Sequence, residues 1–487
     1  MLNITFHIRE TTKNKSRYAF HLITWFIGLF IFPGGVAAQS LQPFIQQENE
    51  KPEFAKRKLR YHAEGNDFVI INGKEKYNRA LYGTHDGFRI QAGDLPEFAL
   101  YMPGTGGDMK LGIMASNGTK WFNDFDSITA RYRPGMMLYR LKDKLTGNAI
   151  IHLQLLSMHG QDGMLLKVSW RHSEKPVQLI LAYGGAGGIH PPRNGDIGAD
   201  PPSVFYLTAA HAQGNKFKLY ENYFDWSFKD RKEIITLNGI MPPASKLHIG
   251  NAGQLQSPKQ ACQSTKNNVY PLMVCKIELS AGHPLFFCIK RKDSSVITYN
   301  QLPDLFKAAK KYRKQLTGRV QIHTPDSFIN AIGGAISIAA DAIWESPVYM
   351  HGAQAWRMPL NGWRGPYVAD DLGWHDRAKA YFTAYNKSQL TAPDTVIVAP
   401  DPKENLARQT EKIGSGIYNS GYIGRLPDGN IKLNHYDMNL VYIDAMLRHF
   451  LWTGDTSFLR SCWPVLQRHL AWERRNFDAD NNGLFDA

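Results

Sequence analysis

The segment Asn361–Phe382, NGWRGPYVADDLGWHDRAKAYF, gathers Trp363, Arg364, Tyr367, Asp370, Asp371, Trp374, His375, Asp376 and Arg377 into one short stretch. It is too polar for a core and too aromatic for an ordinary loop. Flat rings stack on the apolar faces of sugars, while carboxylates and a forked guanidinium supply proton transfer and hydroxyl recognition. Cleaving an acetal between sugars takes one carboxylic acid to protonate the leaving oxygen and a second carboxylate to act on water or on the anomeric carbon. The residue types therefore point first to carbohydrate chemistry.

Asp370 and Asp371 fall at the expected start of a helix, Asp371–Tyr385, where one of them caps the N-terminus and the other faces a cleft. Asp371, beside the Trp374–His375 turn, is the first choice for the general acid. Asp376 either adds a carboxylate or pairs locally with Arg377. Trp363 and Trp374 are sugar platforms or core residues. Arg364 and Tyr367 serve a hydroxyl-rich ligand, or Arg364 an internal carboxylate. His375 has no partner ligands at metal spacing, which favours a sugar-hydroxyl or structural role and gives no metal site. A second cluster, Asn434-His435-Tyr436-Asp437-Met438-Asn439, also lies where a loop enters a helix. It makes Asp437 a rival acid, with His435 and Tyr436 as further substrate contacts. Glu345, in AIWESPVYMHG, is a third acid or simply an exposed residue. Asp478, Asp480 and Asn482 before Gly483 imitate the opening of a calcium loop, but the bidentate acid that completes one would fall beyond Ala487, and a tight turn explains the same residues. Calcium is thus a weak possibility. The YGGAGG at Tyr183–Gly188 suits a turn rather than phosphate.

Two kinds of element must position these groups. From about residue 60 to 300 short apolar alternations such as DFVIINGKEKYNRALYG, AIIHLQLLSM and GMLLKVSWRH are separated by Gly, Pro, Asn and Asp, the pattern of a large antiparallel β-sandwich. The period then changes. Residues 301–323 hold a linker helix, LPDLFKAAKKYRKQL, and Thr324-Pro325-Asp326 offers an N-cap, a Pro at the first helical position and an acid in the first turn. The helix that follows, SFINAIGGAISIAADAIWE, is apolar all round and should be buried. Another spans about Asp437–Thr453, stopped by Gly454, and Asp455 caps a last one.

With 487 residues the chain has room for two or three domains. Charged content of 21% excludes wholesale disorder, and 12% aromatic residues mildly favour a glycan partner. Arg9, Lys13, Lys15 and Arg17, an apolar run Leu22–Phe32 and then PGGVAAQS read as an export signal, residues 1–38, cut after Ala38. The run is too short to span a membrane, so no stable insertion is expected after cleavage. A leader over residues 39–59 follows, and the location implied is periplasmic or extracellular. The formal charge of +14 is scattered rather than clustered, and with export it argues against a nucleic-acid partner. Cys262, Cys275, Cys288 and Cys462 show no metal spacing; Cys262 and Cys275 either bridge a hairpin or remain buried thiols.

The stretches DFVIINGKEKYNRALYG, AGDLPEFALYMPGTGG, HGAQAWRMPLNGWRGPYVADDLGWHDRA, HYDMNLVYIDAMLRHFLWTGD and WPVLQRHLAWERRNFDADNNGLFDA resemble the six-hairpin glycosidase superfamily, the (α/α)6-barrel enzymes that include glucoamylases, α-L-rhamnosidases and disaccharide phosphorylases. More closely they resemble a bacterial family of unassigned function within it. The resemblance implies an N-terminal sandwich followed by a helical barrel at residues 324–487, a carbohydrate substrate, mostly inverting hydrolysis and no organic cofactor. Twelve helices close such a barrel and take roughly 300 residues. Only about 160 follow Thr324, so the expectation is a C-terminally truncated frame, with the partner base in the part beyond it.

Overall fold

The computed structural model describes residues 59–83, 87–171, 177–190, 202–263, 268–279, 282–353, 357–394, 411–414, 416–478 and 480–485. The expected export signal and leader lie outside them, apart from Leu59. Among the described residues no helix is long and apolar enough to cross a membrane.

Alternating apolar residues build two antiparallel sheets. The larger has ten strands in the order His62–Glu64, Asp67–Ile71, Ser127–Arg133, Met136–Lys142, Ile150–Ser157, Gly163–Arg171, Leu285–Arg291, Glu233–Ile240, Tyr223–Asp230 and Lys216–Leu219. The smaller has eight, with Thr105–Ala115 paired to Glu97–Tyr101, Gly118–Trp121 and Val177–Gly184. Register places Leu153 opposite Val168 and Leu181 opposite Leu111. Inward residues of both sheets, Leu153, Leu166, Leu111 and Leu181 among them, belong to one apolar core. Period-2 patterning thus puts one face of each sheet inside. Two single-turn helices, α1 (Ala209–Ala212) and α2 (Pro258–Ala261), punctuate the strands. All four cysteines are free; Cys275 lies buried in a strand, where desolvation pushes its thiol up to about 12. The Gly-rich Tyr183–Gly188 stretch ends a strand and returns to pair with Thr105, as a turn should.

Helix α3 (Leu302–Thr317) carries Leu302, Phe306, Ala309, Arg313 and Leu316 on its buried face. The first three pack with Leu156, Leu165, Phe286 and Cys288 on the outer side of the larger sheet. Buried Arg313 docks α3 further: Nε donates to the Gly135 carbonyl at 2.9 Å. Helix α4 (Ser327–Ala342) is capped not by Thr324 but by Asp326, which accepts from the Phe328 and Ile329 amides, while the Thr324 hydroxyl donates to the Asp326 carbonyl. Its apolar surface is only partly buried. Ile329, Ile332 and Ile336 remain 44%, 43% and 44% exposed, because the helix meets neighbours on one side.

The helix expected at Asp371–Tyr385 is two helices, α5 (Gly365–Asp371) and α6 (His375–Asn386). Pro366 pre-sets the first turn of α5, and Gly373, at φ +70°, ends it. The Trp374 amide donates to the Ala369 carbonyl and the Gly373 amide to Asp370, the double bond of a glycine-terminated helix. Helices α7 (Met438–Thr453) and α8 (Thr456–Phe477) follow the expected pattern: Gly454 sits at φ +62° and the Asp455 carboxylate accepts from the Phe458 amide at 2.9 Å.

Pairings along the helices fix their directions. Gly362, just before α5, packs on Met438, Tyr367 donates to Asp444, and Asp370 meets His449. Helices α5 and α7 therefore run parallel. Lys379 of α6 pairs with Asp455 at 2.8 Å, whereas Tyr442 donates to the Phe382 carbonyl and to Asn386 near the far end of α6. Helix α6 is thus antiparallel to α7. The consequence is two unlike ends. One carries the tight turns 372–374 and 454–455, with Arg319, Asp341 and Trp344 packed beside them, and the other carries the loop around Trp363 and the long connection 387–437.

Candidate functional site

The clustering of chemistry in Asn361–Phe382 does not survive folding as one site. Trp363 and Arg364 enter α5 at the long-loop end, and Asp370 to Arg377 lie at the short-turn end. Asp437 leads into α7, and twelve residues further along that helix His449 meets Asp370, so Asp437 and the Asp370–Asp371 pair stand about 18 Å apart along the axis. That is well beyond the roughly 6.5–9.5 Å between the carboxylates of an inverting pair.

At the long-loop end, Asn361 and Asn439 clamp the same strand-like residue. Asn361 Nδ2 donates to the Ile423 carbonyl at 3.1 Å, and Asn439 Oδ1 accepts from the Ile423 amide at 2.6 Å. Tyr381 donates to the Leu360 carbonyl at 2.8 Å and to Asn361. Held this way, the half-buried Trp363 ring stands edge-on to His351 with centroids 3.8 Å apart. Burial first, then the positive potential of His435 and Arg425, keeps the His351 imidazole less basic than usual. Arg425 has no carboxylate partner among the described residues; one guanidinium nitrogen reaches only the Met358 sulfur, and its Nε is buried without a partner.

Asn434 and His435 both occupy the left-handed region, at φ +97° and +56°. Two successive non-glycine residues there store strain that neighbours must hold. Tyr422 donates to the Asn434 carbonyl at 2.7 Å, and Asn434 Oδ1 accepts from the His435 amide at 2.8 Å. The turn leaves His435 and Asp437 exposed just before Met438, which packs on Gly362 in the loop bearing Trp363. Asp437 occupies the cap position of α7 without making a capping hydrogen bond. Tyr436 stacks on Phe477, centroids 5.8 Å apart. Glu345 is held by Arg357 at 2.8 Å, and Arg357 also donates to the Ala342 carbonyl.

Arg364 and Tyr367 line a cavity of about 620 Å3 between α5 and α7, together with Leu440, Val441, Asp444 and Arg448. Burial and the Asp444 carboxylate push the Tyr367 hydroxyl up to about 12.

At the short-turn end Asp371 is exposed and closes α5 rather than opening a helix. Desolvation and the neighbouring Asp370 raise its carboxyl above the ordinary range. Asp376 is exposed in the first turn of α6. Arg377 bonds not to it but to Asp341 at 2.9 Å, a carboxylate that also accepts from Tyr312. Trp374 is buried, flanked by the Arg319 and Arg377 guanidinium groups 5.0 and 4.3 Å from its ring, which leaves no face for a sugar. Asp370 is buried. His375 and His449 turn Nδ1 toward its Oδ1 at 2.8 and 2.9 Å, and these three ligand atoms lie within 4.8 Å of one another. Spacing gave His375 no ligand partners; the fold supplies two. At the chain's end, Asp478 Oδ1 accepts from the Gly483 amide and Asp480 from Asn482, so the calcium-like residues act as a turn. Sequence reasoning missed His351, Arg425, Asp444 and His449. Asp370 and His449 lie 79 positions apart in the chain, and Tyr367 and Asp444 lie 77 apart, so only tertiary packing brings these pairs together.

A protein-family profile described as "Domain of unknown function (DUF4450)" matches residues 102–310. No curated protein matches the chain. Among solved structures, a putative kojibiose phosphorylase from human microbiome is similar at 11% identity and TM-score 0.42, over 82% of this chain and 58% of that one. A bacterial glucoamylase complexed with acarbose is similar at 10% identity and TM-score 0.37, over 66% and 53%. An inverting mannosidase from Bacteroides thetaiotaomicron is similar at 10% identity and TM-score 0.34, over 55% and 37%. The chain thus spans little more than half the length of the first two and less of the third.

Proposed function

We propose that the protein is an exported glycoside hydrolase whose cleft lies at the long-loop end of the helices, with Asp437 as the acid that protonates the leaving oxygen. The observation that carries this reading is the strained Asn434–His435 turn, which leaves His435 and Asp437 exposed directly before Met438, the residue that packs on Gly362 beside Trp363. Binding groups concentrate on long loops set on a rigid scaffold, and here Trp363 supplies an apolar ring while His351, His435 and Arg425 supply donors. Asp371, the first choice from sequence, has the raised proton affinity of an acid but stands at the wrong end of α5. The course we assign is inversion, with a second carboxylate roughly 6.5–9.5 Å from Asp437 to activate water.

The Arg425 guanidinium, without a carboxylate partner among the described residues and near the hydrogen-bonding imidazoles of His351 and His435, favours a second reading. Phosphate would take the place of water as nucleophile, making the enzyme a phosphorylase. Incubation with plant and host oligosaccharides, with and without inorganic phosphate, separates the cases. Free reducing sugar formed without phosphate supports hydrolysis, and sugar phosphate formed only with it supports phosphorolysis. Binding without release would make the protein a glycan-binding one and sink both enzyme readings.

A further inference from the structure

We propose that Asp370, His375 and His449 form a site for a divalent transition metal, of which Zn2+ is the type, tying α5, α6 and α7 together at the short-turn end. It does not rest on the carbohydrate reading, being about 18 Å along α7 from Asp437.

Asp370 is 3% exposed and sits in the last turn of α5, where the helix dipole disfavours a negative charge. A buried carboxylate there needs a positive or strongly donating partner. What converges on it are two imidazoles from two other helices, both presenting Nδ1, at 2.8 and 2.9 Å from Oδ1; His449 also lies 3.0 Å from Oδ2. The His449 ring is enclosed by Phe382, Phe450 and Phe458, with centroids 5.5 to 5.9 Å away, and has no other polar partner among the described residues. The His375 side chain is 45% exposed, which leaves an open side for entry and for a water ligand.

Two imidazoles and one carboxylate with an open fourth position is a zinc donor set. A tetrahedral ion about 2.0–2.1 Å from each donor needs them roughly 3.3 Å apart; each imidazole nitrogen must withdraw a few tenths of an ångström from Oδ1, and the two nitrogens, which lie within 4.8 Å of one another, must come to that same spacing. His375 can provide it, because it begins α6 directly after the Gly373 turn. Without metal each Nδ1–H donates to Asp370; with metal each Nδ1 lone pair binds the ion and its proton resides on Nε2.

The test uses the full chain stripped with a chelator and then titrated with Zn2+ against a competing chromophoric chelator, with thermal unfolding followed in parallel. One Zn2+ per chain and a raised Tm are expected. His375→Ala, which alters a half-exposed ring and leaves His449 on Asp370, should fold with a metal-free Tm lowered by the lost hydrogen bond, lose the Zn2+-dependent rise and weaken binding by about 100-fold or more. Co2+ should give the visible bands of a four-coordinate ion in the native chain and not in His375→Ala. Absence of stoichiometric binding in the native chain, or equal binding in His375→Ala, overturns the site and leaves Asp370 as a carboxylate held by two imidazole N–H groups.

Discussion

Gly362→Ala tests how the loop bearing Trp363 is seated. A Cβ at this position would lie 2.6 and 2.7 Å from the Met438 Cβ and Cα, and against its carbonyl oxygen as well. Ordinary carbon contacts are about 3.5–4.0 Å, so the loop must retreat by roughly 1 Å from the start of α7. The obstacle is largely backbone and cannot swing aside. Overpacking of this kind costs about 1–3 kcal/mol, which corresponds to a Tm lower by about 2–10 °C. If Trp363 and Asp437 bind one substrate, a shift of about 1 Å between them should lower turnover by about 100-fold. Calorimetry and an end-point sugar assay on the same preparation read both effects. Unchanged Tm would refute the close packing of Gly362 on α7. A lower Tm with native turnover would refute a shared site.

Trp374→Ala should destabilise the fold by about 3–5 kcal/mol by chemical denaturation, because its ring is buried between two guanidinium groups, whereas Trp363→Ala should leave stability nearly intact and weaken glycan binding. Tyr381→Phe removes the donor to the Leu360 and Asn361 carbonyls and should cost about 1–3 kcal/mol with the loop loosened, read as faster amide exchange there. For Asp371 the folded state holds its proton more tightly than the unfolded state does, so its contribution is favourable at low pH and is lost as pH rises through the raised value. Asp371→Asn should therefore raise Tm slightly at neutral pH and leave it unchanged in acid; the opposite trend would contradict the shift.

The order of strands then helices was readable because period 2 gives way to period 3.6 near Gln301; α7 begins and ends within a residue of expectation, whereas α3 stops at Thr317, short of residue 323. Gly454 and Asp455 were readable as stop and cap for local reasons. The break at Gly373 was not, since the glycine lies inside an otherwise helical pattern and its left-handed angle is set by the Trp374–Ala369 bond. The larger error was spatial. Sequence proximity placed Trp363 and Trp374 in one cluster, yet α5 between them carries the second to the opposite end of its neighbour α7. His449 carried no local signal at all, because its role depends on Asp370 arriving from another helix. The apolar pattern of α4 signalled burial, but Ile329, Ile332 and Ile336 line up along a face that no described element covers, as do Leu440, Leu447 and Leu451 on α7.

The central claim, that the long-loop end holds the chemistry, is tested most directly by comparing turnover of Asp437→Asn and Asp371→Asn on one released-sugar assay, each checked for a native Tm. The account predicts that Asp437→Asn falls by about 100-fold or more while Asp371→Asn stays within a few-fold of the native protein. Native turnover in Asp437→Asn with collapse in Asp371→Asn would contradict it and move the active centre to the short-turn end.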